Sequence, residues 1–152
     1  MIDVEKMNLI VKNKLESYQL YKSKIEKLYL QKNNDLKNTD INSWIKSINK
    51  ISDKTANSAI ENITIDEKIK NIMKWKVLID DVIEFYKEKD LFSANIITNK
   101  YIYHFSDSLN IDNMGISRST YYRYLQIIYC QIGINAIYRK LISFDEIKII
   151  IL

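Results

Sequence analysis

The residues best suited to contact chemistry lie between 115 and 125, in the stretch Gly-Ile-Ser-Arg-Ser-Thr-Tyr-Tyr-Arg-Tyr-Leu. Arg118 and Arg123 carry planar guanidinium groups that can bridge O6 and N7 of a guanine or clamp a phosphate. The hydroxyls of Ser119 and Tyr122 can bond phosphate oxygens. With Arg139 these are the only arginines, and all three fall in the last third of the chain, whereas lysines are spread throughout. Between residues 93 and 140 five Lys and Arg stand against two Asp and Glu, a local excess of +3 that suits an anionic partner.

Other chemistry finds little support. The one histidine, His104, has no second histidine and only a distant cysteine beside it, so a transition-metal site is not expected. Asp80, Asp81 and Glu84 could form an acidic cluster, but no partner motif accompanies them and a solvated helix face accounts for them. Cys130, alone in the apolar run QIIYCQI, reads as a packing residue. Two glycines, Gly115 and Gly133, are too few for a phosphate loop or a nucleophile elbow. The eleven tyrosines could stack single-stranded bases, but at helical spacing they fit core and rim better. No enzyme, cofactor or metal is expected.

The elements that would position the arginines follow from composition. A chain of 152 residues, 47% hydrophobic and 28% charged, without proline and with two glycines, has little to punctuate a many-turned β fold. An all-α protein is the expected class. The net charge of +4 is weak evidence of a partner by itself, because lysine abundance accompanies abundant Ile and Asn. A single cysteine excludes an intramolecular disulfide, and the opening MIDVEKMNLIVKNK lacks the apolar core of a signal peptide. No run reaches the roughly 18 apolar residues of a membrane span. A cytoplasmic protein of a bacterial host cell, with no membrane partner, is expected.

Ile2, Leu9, Ile10, Leu15, Tyr18, Tyr21, Ile25, Leu28 and Tyr29 predict one long amphipathic helix over residues 1 to about 33. It either packs on the domain or pairs with another chain as a homo-oligomer. Residues 1–35 thus form a helical arm, and 36–63 a polar linker with a short helix bearing Trp44, Ile45, Ile48 and Ile51. A helical domain over 64–152 follows. Its central helix spans about 65 to 88, with Thr64 and Glu67 at capping-box spacing and Ile65, Ile69, Ile72, Met73, Leu78, Ile79, Val82, Ile83 and Tyr86 recurring helically. Another helix is expected over 93–104 with Ile96, Ile97 and Tyr101 inward. Ser143 and Glu146 have capping-box spacing, before either a short helix or a tail.

A helix-turn-helix is expected at about 106–132. Gly115 supplies backbone freedom, Met114 and Ile116 flank the turn, and Ser117 is a favourable N-cap. Tyr121, Leu125, Ile128 and Ile132 face the core, leaving Arg118, Ser119, Tyr122 and Arg123 outward. Two readings compete: a helix that enters the major groove of double-stranded DNA, or a helical hairpin whose surface is polar only for solubility. The coincidence of turn, cap, core spacing and arginine placement favours the first.

Three stretches, ISDKTANSAIEN, KIKNIMKWKVLIDDVIEFYKEKD and KYIYHFSDSLNIDNMGISRSTYYRYL, resemble the phage late-gene transcriptional regulators of the ArpU and RinA type, whose carboxyl end is similar to region 4 of sigma factors. The resemblance covers roughly residues 51 to 130. It implies a DNA-binding regulator of packaging and lysis genes that works with RNA polymerase. On matching positions it makes Arg118, Ser119, Tyr122 and Arg123 the groove-facing set and Thr120 a phosphate or capping contact. Asn110 and Ile111 depart from the pattern, standing where such a motif carries an apolar residue followed by a small one. Three other readings are a helical interaction protein without DNA binding, a small terminase subunit, and a compact sigma factor.

Overall fold

Apolar residues at three- and four-residue spacing can all be buried if each segment coils into a helix and turns that stripe inward. The computed structural model describes residues 1–37 and 53–149. Among them are seven α-helices, one 3₁₀ turn and no strand, so the protein is all-α. The helices are α1 (Val4–Glu16), α2 (Tyr21–Lys37), α3 (Asp53–Lys89), α4 (Leu91–Tyr101), α5 (Asp107–Met114), α6 (Arg118–Tyr138) and the single turn α7 (Phe144–Ile147).

The chain divides into two compact units, one of Met1–Gln19 with Lys74–Leu152 and one of Leu20–Met73. This division crosses the expected arm, linker and domain: the first half of the arm belongs with the carboxyl-terminal helices. The expected linker enters α3 from residue 53, while its residues 38–52, with Trp44, Ile45, Ile48 and Ile51, lie outside the described residues.

In the larger unit α1 packs along α6. Met7, Val11 and Leu15, four residues apart, are its buried stripe, whereas Leu9 and Ile2 are exposed. The approach is close because α6 has Gly133 at the contact: a Cβ there would stand 2.6 Å from the Met7 sulfur. Beside it the amide of Asn8 donates to Gln126 Oε1 at 2.8 Å, and Cys130 Sγ donates to Asn8 Oδ1 at 3.7 Å. Of the apolar residues expected on the arm's stripe in α1, only Leu15 is buried; Met7 and Val11, outside that set, complete the packed face.

The arm is not one helix. It breaks at Ser17 into a 3₁₀ turn, Tyr18–Leu20, before α2 begins. A 3₁₀ turn keeps residues three apart on one face, so the apolar spacing runs through the break without betraying it. Tertiary bonds hold the turn: the Tyr18 hydroxyl donates to Asp80, and the Gln19 amide donates to the carbonyl of Ile102 at 3.1 Å.

The central helix, α3, begins at Asp53 rather than near 65. Thr64 does not cap it; its hydroxyl donates to the carbonyl of Ile60 at 2.9 Å, the back-bond by which a threonine is satisfied inside a helix. Trp75, Leu78, Ile79, Val82, Ile83 and Tyr86 are buried, while Met73, expected inward, is half exposed. Asp90 caps α4, accepting from the backbone N–H of Phe92 and Ser93 and from the Ser93 hydroxyl. Ile96, Ile97 and Tyr101 are buried as expected. At the carboxyl end Ser143 and Glu146 form both halves of a capping box on α7. The chain ends then meet: Asp3 N–H donates to Ile147 O at 2.6 Å and Ile149 N–H to Met1 O at 3.0 Å.

The smaller unit pairs α2 with the first part of α3. Lys32 donates to both carboxylate oxygens of Asp66 at 2.8 Å, and Tyr21, Ile65 and Ile69 are buried.

Candidate nucleic-acid interface

α5 starts on Ser106, whose hydroxyl accepts the N–H of Leu109 at 3.2 Å, and stops where Gly115 turns left-handed at φ 64° and ψ 35°. That conformation is one glycine adopts without penalty. The Gly115 N–H returns to Asp112 O and the Ile116 N–H to Ile111 O, closing the last turn. Ser117 is then extended and caps α6. Its Oγ accepts the N–H of Thr120 at 3.2 Å and donates to the Thr120 hydroxyl at 2.8 Å. Two helices thus meet across a turn of three residues, Gly115 to Ser117.

The inward face of α6 is the expected one: Tyr121, Ile128 and Ile132 are wholly buried and Leu125 nearly so. Arg118, Ser119, Tyr122 and Arg123 are exposed, and Thr120 is half-buried within the cap. Not all four are equally available. The Arg118 guanidinium sits 5.5 Å from the centre of the Tyr122 ring, and the Tyr122 hydroxyl donates to Asp107 Oδ2 at 3.1 Å. Tyr122 is therefore a platform for Arg118, with its hydroxyl already committed to Asp107.

Asp107 joins three elements. It accepts from Lys100 at the end of α4, from the Tyr121 hydroxyl at 2.8 Å and from the Tyr122 hydroxyl on α6. Partial burial works to raise its pKa, but the bonds from Lys100, Tyr121 and Tyr122 together with the Lys100 charge outweigh it, leaving the carboxyl below its usual range. Burial, reinforced by the bond to Asp107, pushes the Tyr121 hydroxyl well above its ordinary value, so it remains a donor.

Asn110 is wholly buried. Its amide nitrogen donates to the carbonyl of Ile96 at 3.2 Å and to the Tyr121 hydroxyl at 3.3 Å, and its Oδ1 accepts from Asn99 at 3.1 Å. Asn110 is thus a polar tie between α4, α5 and α6. Deeper in, the hydroxyls of Tyr101 and Tyr129 bond each other. Neither Asp107 nor Asn110 stands out in the sequence as a site residue, since pairing across helices has no local signature.

Of the five cations between 93 and 140, Lys100 is bonded to Asp107 and Arg139 to Asp81 at 2.8 Å. Arg118, Arg123 and Lys140 make no ion pair among the described residues. Asp80 and Glu84 are likewise paired, with Lys76 and Lys87, both at 2.6 Å. Among the described residues no three His, Cys, Asp or Glu side chains gather as a metal site would need, and no helix is long and apolar enough to cross a membrane. In the smaller unit a groove of about 580 Å³ opens between α2 and α3, lined by Leu28 and Ile72 and by Lys24, Lys27 and Lys68 among others. No protein-family model, curated protein or solved structure matches the chain.

Proposed function

We propose that this chain is a sequence-specific regulator that binds double-stranded DNA through the amino end of α6. The observation that carries this reading is the division of α6 into a buried side and an exposed side whose first two turns bear Arg118, Ser119 and Arg123. Lys100 neutralises Asp107 nearby, so the exposed side keeps the positive field of its two arginines and of the helix N-terminus. The resemblance to phage late-gene regulators supplies the biological setting: a phage or prophage protein, acting in a bacterial cytoplasm with RNA polymerase on packaging and lysis genes.

Fluorescence anisotropy of the full chain with its own upstream DNA and with a shuffled duplex, across a salt series, tests this. The expected result is at least a tenfold preference for the native duplex, with log affinity falling by roughly 0.9 per phosphate contacted for each log unit of salt. Arg118→Ala should weaken the native duplex more than the shuffled one; equal weakening makes Arg118 a phosphate clamp only. Absence of binding to either duplex at low salt defeats the reading. It would favour a helical interaction protein, for which the largely apolar groove of the smaller unit offers a place for a partner segment.

A further inference from the structure

From Tyr124 to Tyr138 α6 contains no charged residue, in a chain that is 28% charged. Part of that stretch is core, but Ile127 is 54% exposed, Ile134 61% and Tyr138 87%. Alternating steps of three and four residues, Tyr124, Ile127, Gln131, Ile134 and Tyr138, put these on one stripe, with Tyr124 and Gln131 partly exposed. The Tyr124 ring is braced 5.0 Å from that of Phe92, which fixes the near end of the stripe. No other stripe of the described residues combines this exposure with so long a charge-free run.

The order of residue types is what selects the partner. Tyr, Ile, Gln, Ile, Tyr reads the same in both directions about Gln131. A two-fold axis through Gln131, perpendicular to two antiparallel copies of α6, sets Tyr124 beside the partner copy's Tyr138. It likewise brings Ile127 within about one residue rise of the partner copy's Ile134. Gln131 meets itself, and an amide, carrying both donor and acceptor, can bond its own image. A charge at position 131 would meet its own image at the axis, and a charge elsewhere on the stripe would meet an apolar or tyrosine side chain; the stripe carries none. A partner chosen by charge would leave the opposite signature.

We infer that the exposed stripe of α6 is a homodimer interface in which two copies pair antiparallel about Gln131. The stripe is about 21 Å long, shorter than a standard interface, so the dimer is expected to be weak and to form in the micromolar range. This pairing does not depend on DNA binding.

Sedimentation equilibrium of the full chain between about 1 and 100 µM tests it, with far-UV circular dichroism confirming that each variant keeps its helices. The wild type should be a monomer–dimer mixture. I127E and I134K each put a charge against an apolar side chain and should weaken dimerisation more than tenfold. The double variant I127E/I134K should regain most of it, because the antiparallel register sets the new carboxylate beside the partner copy's new ammonium. In a parallel register like charges meet and the double variant stays monomeric, which overturns the proposed pairing. A wild type that is monomeric throughout, or a dimer indifferent to both single substitutions, overturns the interface itself.

Discussion

Replacing Asn110 by leucine puts an apolar residue at this buried position of α5 and tests what the polar tie contributes. Leucine keeps the branched outline of asparagine but is bulkier, so no cavity opens and the change combines lost hydrogen bonding with some overpacking. Three bonds vanish, those to Ile96 O, to the Tyr121 hydroxyl and from Asn99. Their losses are unequal. The Ile96 carbonyl lies within α4 and keeps a helical partner, Asn99 is only half-buried, and Tyr121 still donates to Asp107. At a net value near 1 kcal/mol for each bond, partly offset by leucine burial, the expected destabilisation is about 1–3 kcal/mol. For a unit of this size each 1 kcal/mol lowers Tm by roughly 4–8 °C. Thermal unfolding followed by the near-UV tyrosine signal would measure it. A cycle with Tyr121→Phe should give a coupling of about 0.5 kcal/mol or more if the two residues act together. An N110L protein as stable as the wild type would refute the reasoning, since apolar contact alone would then hold α4, α5 and α6 in place.

Gly115→Ala should destabilise the turn by about 1–2 kcal/mol, because φ is 64° there although nothing crowds the Cβ; Gly115→Asn should cost clearly less, as denaturant titration of both variants would show. At Gly133, alanine gains roughly 1 kcal/mol of helix propensity but drives a methyl to within 2.8 Å of three atoms of the buried Met7 side chain. Overpacking of about 1–3 kcal/mol is expected to win, and Met7→Ala in the same chain should recover part of the loss in Tm. Asp107 has a folded-state pKa below its unfolded value near 3.9, so the stability it lends is present above that value and is lost as pH falls through the lowered folded pKa. Asp107→Asn should therefore flatten the acid limb of a stability–pH profile below about pH 4, and an unchanged limb would count against the Lys100–Asp107–Tyr121 cluster.

Much of the local structure was written in the chain. The inward set Tyr121, Leu125, Ile128 and Ile132, the cap at Ser117, the left-handed Gly115 and the Ser143–Glu146 capping box are short-range features, and each depends on residues within about one turn of itself. Helical periodicity and cap chemistry are local, so they are readable without a fold. Tertiary structure decided the rest. A 3₁₀ turn at Tyr18 is invisible to apolar spacing and is held by Asp80, and Thr64 can cap a helix or sit inside one according to what precedes it. Met7 joins Val11 and Leu15 in the buried stripe of α1 because Gly133, far along the chain, leaves room for its side chain. Asp107 and Asn110 acquire their roles only when α4, α5 and α6 come together. Hydrogen bonds between residues remote in sequence have no period, and only the folded chain can choose their partners.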